Sequence, residues 1–185
     1  GIAVTPTVNG DKADVEIETY LTDIKAGQTI KYTVLDKASN SVATAETAAD
    51  SPKVTVEISK VHLWNGRKDP YLYTAVAELC EGDKVIDNIS ARFGCRTFKI
   101  DPEKGFFLNG VSYPLRGVSR HQDRWGLGNA LLPEHHKEDM ELICEMGANT
   151  IRLAHYQHDQ YFYDLCDENG LVIWAEIPYI SKHMP

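Results

Sequence analysis

NTIRLAHYQHDQYFYDLCDENGLVIW, residues Asn149 to Trp174, is the stretch on which the fold reading turns. Thr150 to Leu153 is a short apolar strand that runs into His155 and Tyr156. A helical segment holding Phe162, Leu165 and Cys166 follows and stops at Gly170. Leu171 to Ala175 is a second apolar strand, and it delivers Glu176. Strand, helix and strand in so short a space make a βαβ unit, whose two strands run parallel. Folds of this kind gather functional side chains just past the carboxyl ends of their strands.

Upstream of this stretch the helical rhythm extends back to Pro133, which suits the first position of a helix. His136, Met140, Ile143 and Gly147 share one face at helical spacing, and Gly147 is a fitting stop. Leu115 to Val118 is a candidate strand, and Phe106 to Val111 reads as a small hairpin turning on Asn109-Gly110. The succession β-α-β-α-β predicts a parallel sheet with right-handed crossovers.

Before Asp101-Pro102 the period is two. Val15, Ile17 and Thr19 alternate with Glu16, Glu18 and Tyr20; Ile30, Tyr32 and Val34 repeat the pattern, as do Val54, Val56 and Ile58, and Tyr71 to Leu79 is one long strand. Turn signals fall between the runs at Asn9-Gly10, Ala26-Gly27, Asn65-Gly66 and Glu81-Gly82-Asp83. The expected architecture is an immunoglobulin-like β-sandwich over residues 1–98, then parallel β/α units over 99–185, which the family resemblance given below identifies as the first units of an incomplete (β/α)8 TIM barrel. A closed barrel needs eight such units and typically about 250 residues, so if these units open a barrel, most of it is missing and the chain is expected to be an internal fragment.

Composition sets bounds on partners. The formal charge of −8 argues against nucleic acid or an anionic membrane surface. No apolar run reaches the roughly 20 residues of a membrane span, and no signal segment opens the chain. A soluble protein of a bacterial-type cytoplasm or periplasm is expected; a homo-oligomer is allowed but not required. Cys80, Cys95, Cys144 and Cys166 fit no zinc or redox spacing. Cys144 and Cys166 read as buried free thiols, while Cys80 and Cys95 flank a hairpin and could meet.

Three strand ends carry polar groups. The first offers Arg116, Arg120, His121, Gln122, Asp123 and Arg124; the second Arg152, His155, Tyr156 and His158; the third Glu176. Imidazole, guanidinium, phenol and carboxylate together suit a polyhydroxylated ligand and can stabilise charge that develops in a transition state. Blander readings compete. Arg152 and Glu176 can be a structural ion pair. His155 and His158, three apart, are a weak metal signal without further ligands. His135 and His136 read as solvated positions in a first helical turn. Glu176 alone cannot cleave a glycosidic bond, which takes two carboxyl groups.

The chain resembles family 2 glycoside hydrolases over nearly its whole length. The quoted stretch is similar to the family's Asn-x-x-Arg-x-x-His-Tyr signature, GFFLNGVSYPLRGVSRHQD to the entry into the first barrel strand, and LWNGRKDPYLYTA with ARFGCRTFKI to the last strands of the preceding sandwich. The resemblance implies a retaining β-glycosidase of terminal β-linked sugars, β-galactosides foremost, with β-glucuronides or β-mannosides as alternatives. It places both catalytic glutamates on later strands beyond Pro185, so the chain alone is expected to be inactive. It gives Arg152 and His155 a role in orienting the nucleophile and meeting the sugar, and matches His121 and Asp123 to pocket-wall positions; Tyr156 and Glu176 join them as candidate substrate groups from their place at the strand ends. Metal-dependent members carry Glu-x-His after the third strand. That place here reads Ile180-Ser181-Lys182-His183, so no magnesium or other cofactor is expected. The contrasting hypothesis is a non-catalytic carbohydrate-binding or interaction module built on the sandwich.

Overall fold

In the computed structural model, which describes residues 1–178, the chain forms two compact units. One comprises Gly1–Trp64 with Tyr71–Thr97, the other Asn65–Pro70 with the segment from Phe98 onward.

The first unit holds seven strands: β1 (Ile2–Asn9), β2 (Lys12–Thr19), β3 (Gln28–Leu35), β4 (Ser41–Ala48), β5 (Lys53–Ser59), β6 (Tyr73–Glu81) and β7 (Lys84–Phe93). They form two antiparallel sheets, ordered β1-β2-β5 and β4-β3-β6-β7. The period-two pattern dictates the packing, since alternate side chains leave a strand on opposite faces. Val15 and Ile17 of β2, Ile30, Tyr32 and Val34 of β3, Ile58 of β5, and Ala75 of β6 lie at or below 2% exposure in one core. Tyr32 keeps its hydroxyl satisfied there: it lies 2.9 Å from Thr19 Oγ1 and donates to the Pro52 carbonyl at 2.8 Å. All four cysteines are free. Burial pushes the Cys166 thiol up to about 12, as befits an inert core thiol.

The second unit opens with a meander of β8 (Phe98–Asp101), β9 (Gly105–Leu108) and β10 (Val111–Ser112). Asn109 and Gly110 both have positive φ, the geometry of the tight Asn-Gly turn. A three-stranded parallel sheet follows, β11 (Gly117–His121), β12 (Thr150–Ala154) and β13 (Val172–Ala175), with α1 (Pro133–Glu145) and α2 (Gln160–Asn169) as crossovers. Sequential strands are spatial neighbours, and β12 lies in the middle. Met140 and Ile143 of α1, Ile151 and Leu153 of β12, and Phe162, Leu165 and Cys166 of α2 form the core between sheet and helices. Among the described residues no helix is long and apolar enough to cross a membrane.

Two local readings change. The first parallel strand begins at Gly117, not Leu115. Asn149 takes the backbone before it out of the ladder: its side chain accepts from Arg116 N at 2.7 Å and donates to the Pro114 carbonyl at 2.9 Å. His136 is buried rather than solvated, at 2% exposure, because it continues the inward stripe of Met140 and Ile143.

The short turn Gly66–Lys68 packs with the second unit. Arg67 donates to the Asn169 carbonyl at 2.6 Å and approaches Cys144 Sγ at 3.1 Å. A cation there complements the negative end of the α2 dipole. Gly170 closes α2 in the left-handed region at φ 72°, and a Cβ on it would run into the backbone of Gly66.

Candidate active site

The carboxyl ends of β11, β12 and β13 bring four of the expected residues together. Arg152, within β12, grips Glu176, just past β13, with two nitrogens: Nε to Oε1 at 2.8 Å and Nη2 to Oε2 at 3.2 Å. The register explains the reach, because Arg152 is paired with Trp174 and Leu153 with Ala175, so Glu176 emerges one step beyond. The same Nη2 lies 2.9 Å from His155 Nδ1. A guanidinium has only donors, so Nδ1 must accept. The imidazole proton then sits on Nε2, which is left to serve a ligand. Glu176 Oε2 is 3.3 Å from the same Nδ1, a proximity of two acceptors rather than a second hydrogen bond. His121, the last residue of β11, sets its ring edge-on to His155 at 5.0 Å between centroids.

The Arg152 fork holds the Glu176 carboxyl below the ordinary carboxylate range. The group is accessible, with side-chain exposures of 40% for Arg152, 35% for His155 and 22% for Glu176. Charge, donors and openness coincide, which is what recognition of a hydroxylated ligand needs. The peptide bond between Ala154 and His155 is cis.

The other expected residues stand differently. Tyr156 is half-buried and its hydroxyl accepts from Gln122 N at 3.0 Å, tying the loop after β11 to the loop after β12. Gln122 completes the clamp by accepting from Asp159 N at 2.7 Å. Asp123 lies exposed in that loop, outside the hydrogen-bonded group. His158 does not pair with His155. It is 5% exposed, and its Nδ1 meets Arg120. Among the described residues no three His, Cys, Asp or Glu side chains gather as a metal site. Ile180-Ser181-Lys182-His183 lies outside the described residues.

Two contributors were not separable by sequence. Gln122 reads as one polar residue among several, and only its double contact marks it. Arg120 sits between Ser119 and His121, and strand alternation places it opposite its neighbours. That alternation was the available signal.

Comparison with known proteins places both units in one family. The model described as "Glycosyl hydrolases family 2" matches residues 1–96, and that described as "Glycosyl hydrolases family 2, TIM barrel domain" matches residues 99–185. A β-glucuronidase of Bacteroides fragilis is 48% identical over 148 residues, which is 80% of this chain and 21% of that protein. The crystal structure of an FMN-binding β-glucuronidase from Facaelibacterium prausnitzii L2-6 superposes with a TM-score of 0.92 at 45% identity, over 96% of this chain and 28% of that one. That of a putative β-galactosidase from Bacteroides fragilis gives 0.88 at 41% identity, with the same coverage of 96% and 28%. The chain thus spans well under a third of the length of these relatives.

Proposed function

The chain belongs to family 2 of the glycosyl hydrolases, and from that membership we propose that the protein it forms part of is a retaining β-glycosidase acting on β-glucuronides. The observation that carries the reading is the Arg152–Glu176–His155 group at the carboxyl ends of adjacent parallel strands, where barrel enzymes hold substrate. The choice of glucuronide over the galactoside first expected rests on the relatives. Of the three relatives described above, the two named β-glucuronidase stand at 48% and 45% identity and the putative β-galactosidase at 41%.

Retaining cleavage takes an acid/base carboxyl and a nucleophilic carboxylate about 5–5.5 Å apart. Neither is assigned to a residue of this chain. Its own residues bind and orient. Arg152 spends its fork on Glu176 and fixes the His155 ring, so that Nε2–H points out as a donor for a sugar hydroxyl. Glu176, kept ionised, accepts from a second hydroxyl. His121 closes one side of the ring. A rigid donor aimed at charge that grows in the transition state lowers the barrier more than one that must reorganise.

The test is a substrate panel on the whole protein: aryl β-glucuronide, β-galactoside and β-mannoside. Glucuronide is expected to have the highest kcat/KM. A higher value for the galactoside would restore the β-galactosidase reading. Turnover of none, with oligosaccharide binding intact, would favour a non-catalytic module.

A further inference from the structure

Strand β11 faces two ways. His121 stands beside His155, and Arg120, one residue earlier, takes the opposite face and is 6% exposed. The Arg120 guanidinium lies 3.8 Å from the centroid of the Phe162 ring, a cation–π contact away from water. Each of its three nitrogens is engaged, two of them by α1 and one by the loop before α2. Nε donates to Asp139 Oδ2 of α1 at 2.8 Å, Nη2 to His136 Nδ1 of α1 at 3.1 Å, and Nη1 to His158 Nδ1 at 3.1 Å. Because guanidinium cannot accept, each imidazole must present a lone pair at Nδ1 and carry its one proton on Nε2. In His158 that proton is used: Nε2 donates to the carbonyl of Ala154 at 3.0 Å. This carbonyl belongs to the peptide unit that leads into His155. A polar relay therefore runs from α1 through Arg120 and His158 to the backbone on which His155 is mounted. No buried side-chain nitrogen or oxygen among the described residues is left without a partner.

We propose that His158 is a positioning residue for His155: Arg120 fixes its tautomer, and its Nε2–H holds the Ala154 carbonyl and so sets the angle at which His155 enters the substrate group. The inference rests on the reading of the strand-end group as the sugar site. A purely structural role would have His158 fill space beneath β12 and support folding, with no bearing on His155.

Two substitutions separate these roles. His158→Asn keeps an acceptor near the Nδ1 position for Arg120 and removes the donor to Ala154. His158→Gln places an amide donor near the Nε2 position and restores that bond. The first measurement is long-range proton–nitrogen correlation of the histidine rings in this chain. His158 is expected as the Nε2–H tautomer. His155 ring signals are expected to move in His158→Asn and to return towards wild type in His158→Gln. The second is kinetics of the whole protein on its best aryl glycoside. His158→Asn is expected to lower kcat about tenfold or more, as small misplacements of reacting groups do, with KM changed less than about twofold, and His158→Gln to recover most of the loss. Unmoved His155 signals in His158→Asn, or equal kcat in the two variants, would overturn the proposal. His155→Ala is the control for the site itself. If it leaves kcat intact the sugar-site reading fails, while the ring signals still decide whether His158 positions His155.

Discussion

A guanidinium that grips a carboxylate with two nitrogens and an imidazole with one of them has little freedom left to rotate. That constraint makes His155 a fixed donor in a half-open site. Replacing His155 by alanine in the whole protein should lower kcat by about a hundredfold or more, the usual cost of losing one preorganised donor. The melting temperature should hardly move, because the ring is partly exposed and His155 is not a member of the buried core cluster. A large fall in melting temperature with unchanged kcat would show a packing residue instead. Arg152, His155 and Glu176 could be found in the sequence because each sits at or beside the end of an apolar strand. Asp123 lies in the loop after β11 and is exposed. A histidine in a first helical turn reads as solvated, yet His136 is buried. Its spacing to Met140 and Ile143 carried the contrary information.

The helix α2 shows how little sequence an element needs. Asp159 accepts from Tyr161 N at 2.8 Å as its N-cap, and Gly170 closes it in the left-handed conformation. Asp159→Ala should cost about 1 kcal/mol. Gly170→Ala should cost more than the roughly 1–2 kcal/mol of a left-handed alanine, since the new methyl group also meets the Gly66 backbone. Denaturant unfolding of the chain ranks the two, and an equal or smaller loss for Gly170→Ala would deny the close approach. The stop at Gly170 is legible, as are the parallel strands, because helix-ending glycine and hydrophobic period are local signals; the Asp159 cap emerges only from the structure. The start of β11 was not legible. Asn149, more than thirty residues away, holds Pro114 to Arg116 outside the ladder, and no local pattern reports such a contact.

Over the whole molecule, acidity should act unevenly. His136 and His158 are held below the ordinary imidazole value of 6.5, first by burial and then by the Arg120 cation. Around them stand Arg120, His121, His135, Asp139, Asp159, Tyr156 and Tyr161; the carboxylates of Asp139 and Asp159 oppose the shift at His136 without reversing it. The unfolded chain therefore binds protons that the folded second unit refuses. Stability rises with pH between the depressed folded values and about 6.5, is fully present above 6.5, and is lost as pH falls below it. Hydrogen exchange at pH 7.5 and 5.5 should show protection weakening in α1, β12 and α2, with β2, β3 and β6 unchanged. Equal weakening in both units would remove the two histidines as its source. The division into a sandwich and a βα unit was legible from the change of period near Asp101. The placement of Asn65–Pro70 with the second unit was not, because Arg67 meets its partners at Cys144 and Asn169 by tertiary contact alone.

That excursion bears on how such chains can be recombined. A chimera joined anywhere between Tyr71 and Thr97 would take Gly66 and Arg67 from one parent and Asn169 and Gly170 from the other. Gly170 must lack a side chain for its backbone to approach that of Gly66, Gly66 must lack one to clear the Tyr113 ring, and Arg67 needs the end of α2 where it now lies. The sandwich and the βα unit are therefore not freely exchangeable cassettes. A crossover upstream of Asn65 keeps the matched pieces in one inheritance, and one between Pro70 and Asn169 separates them.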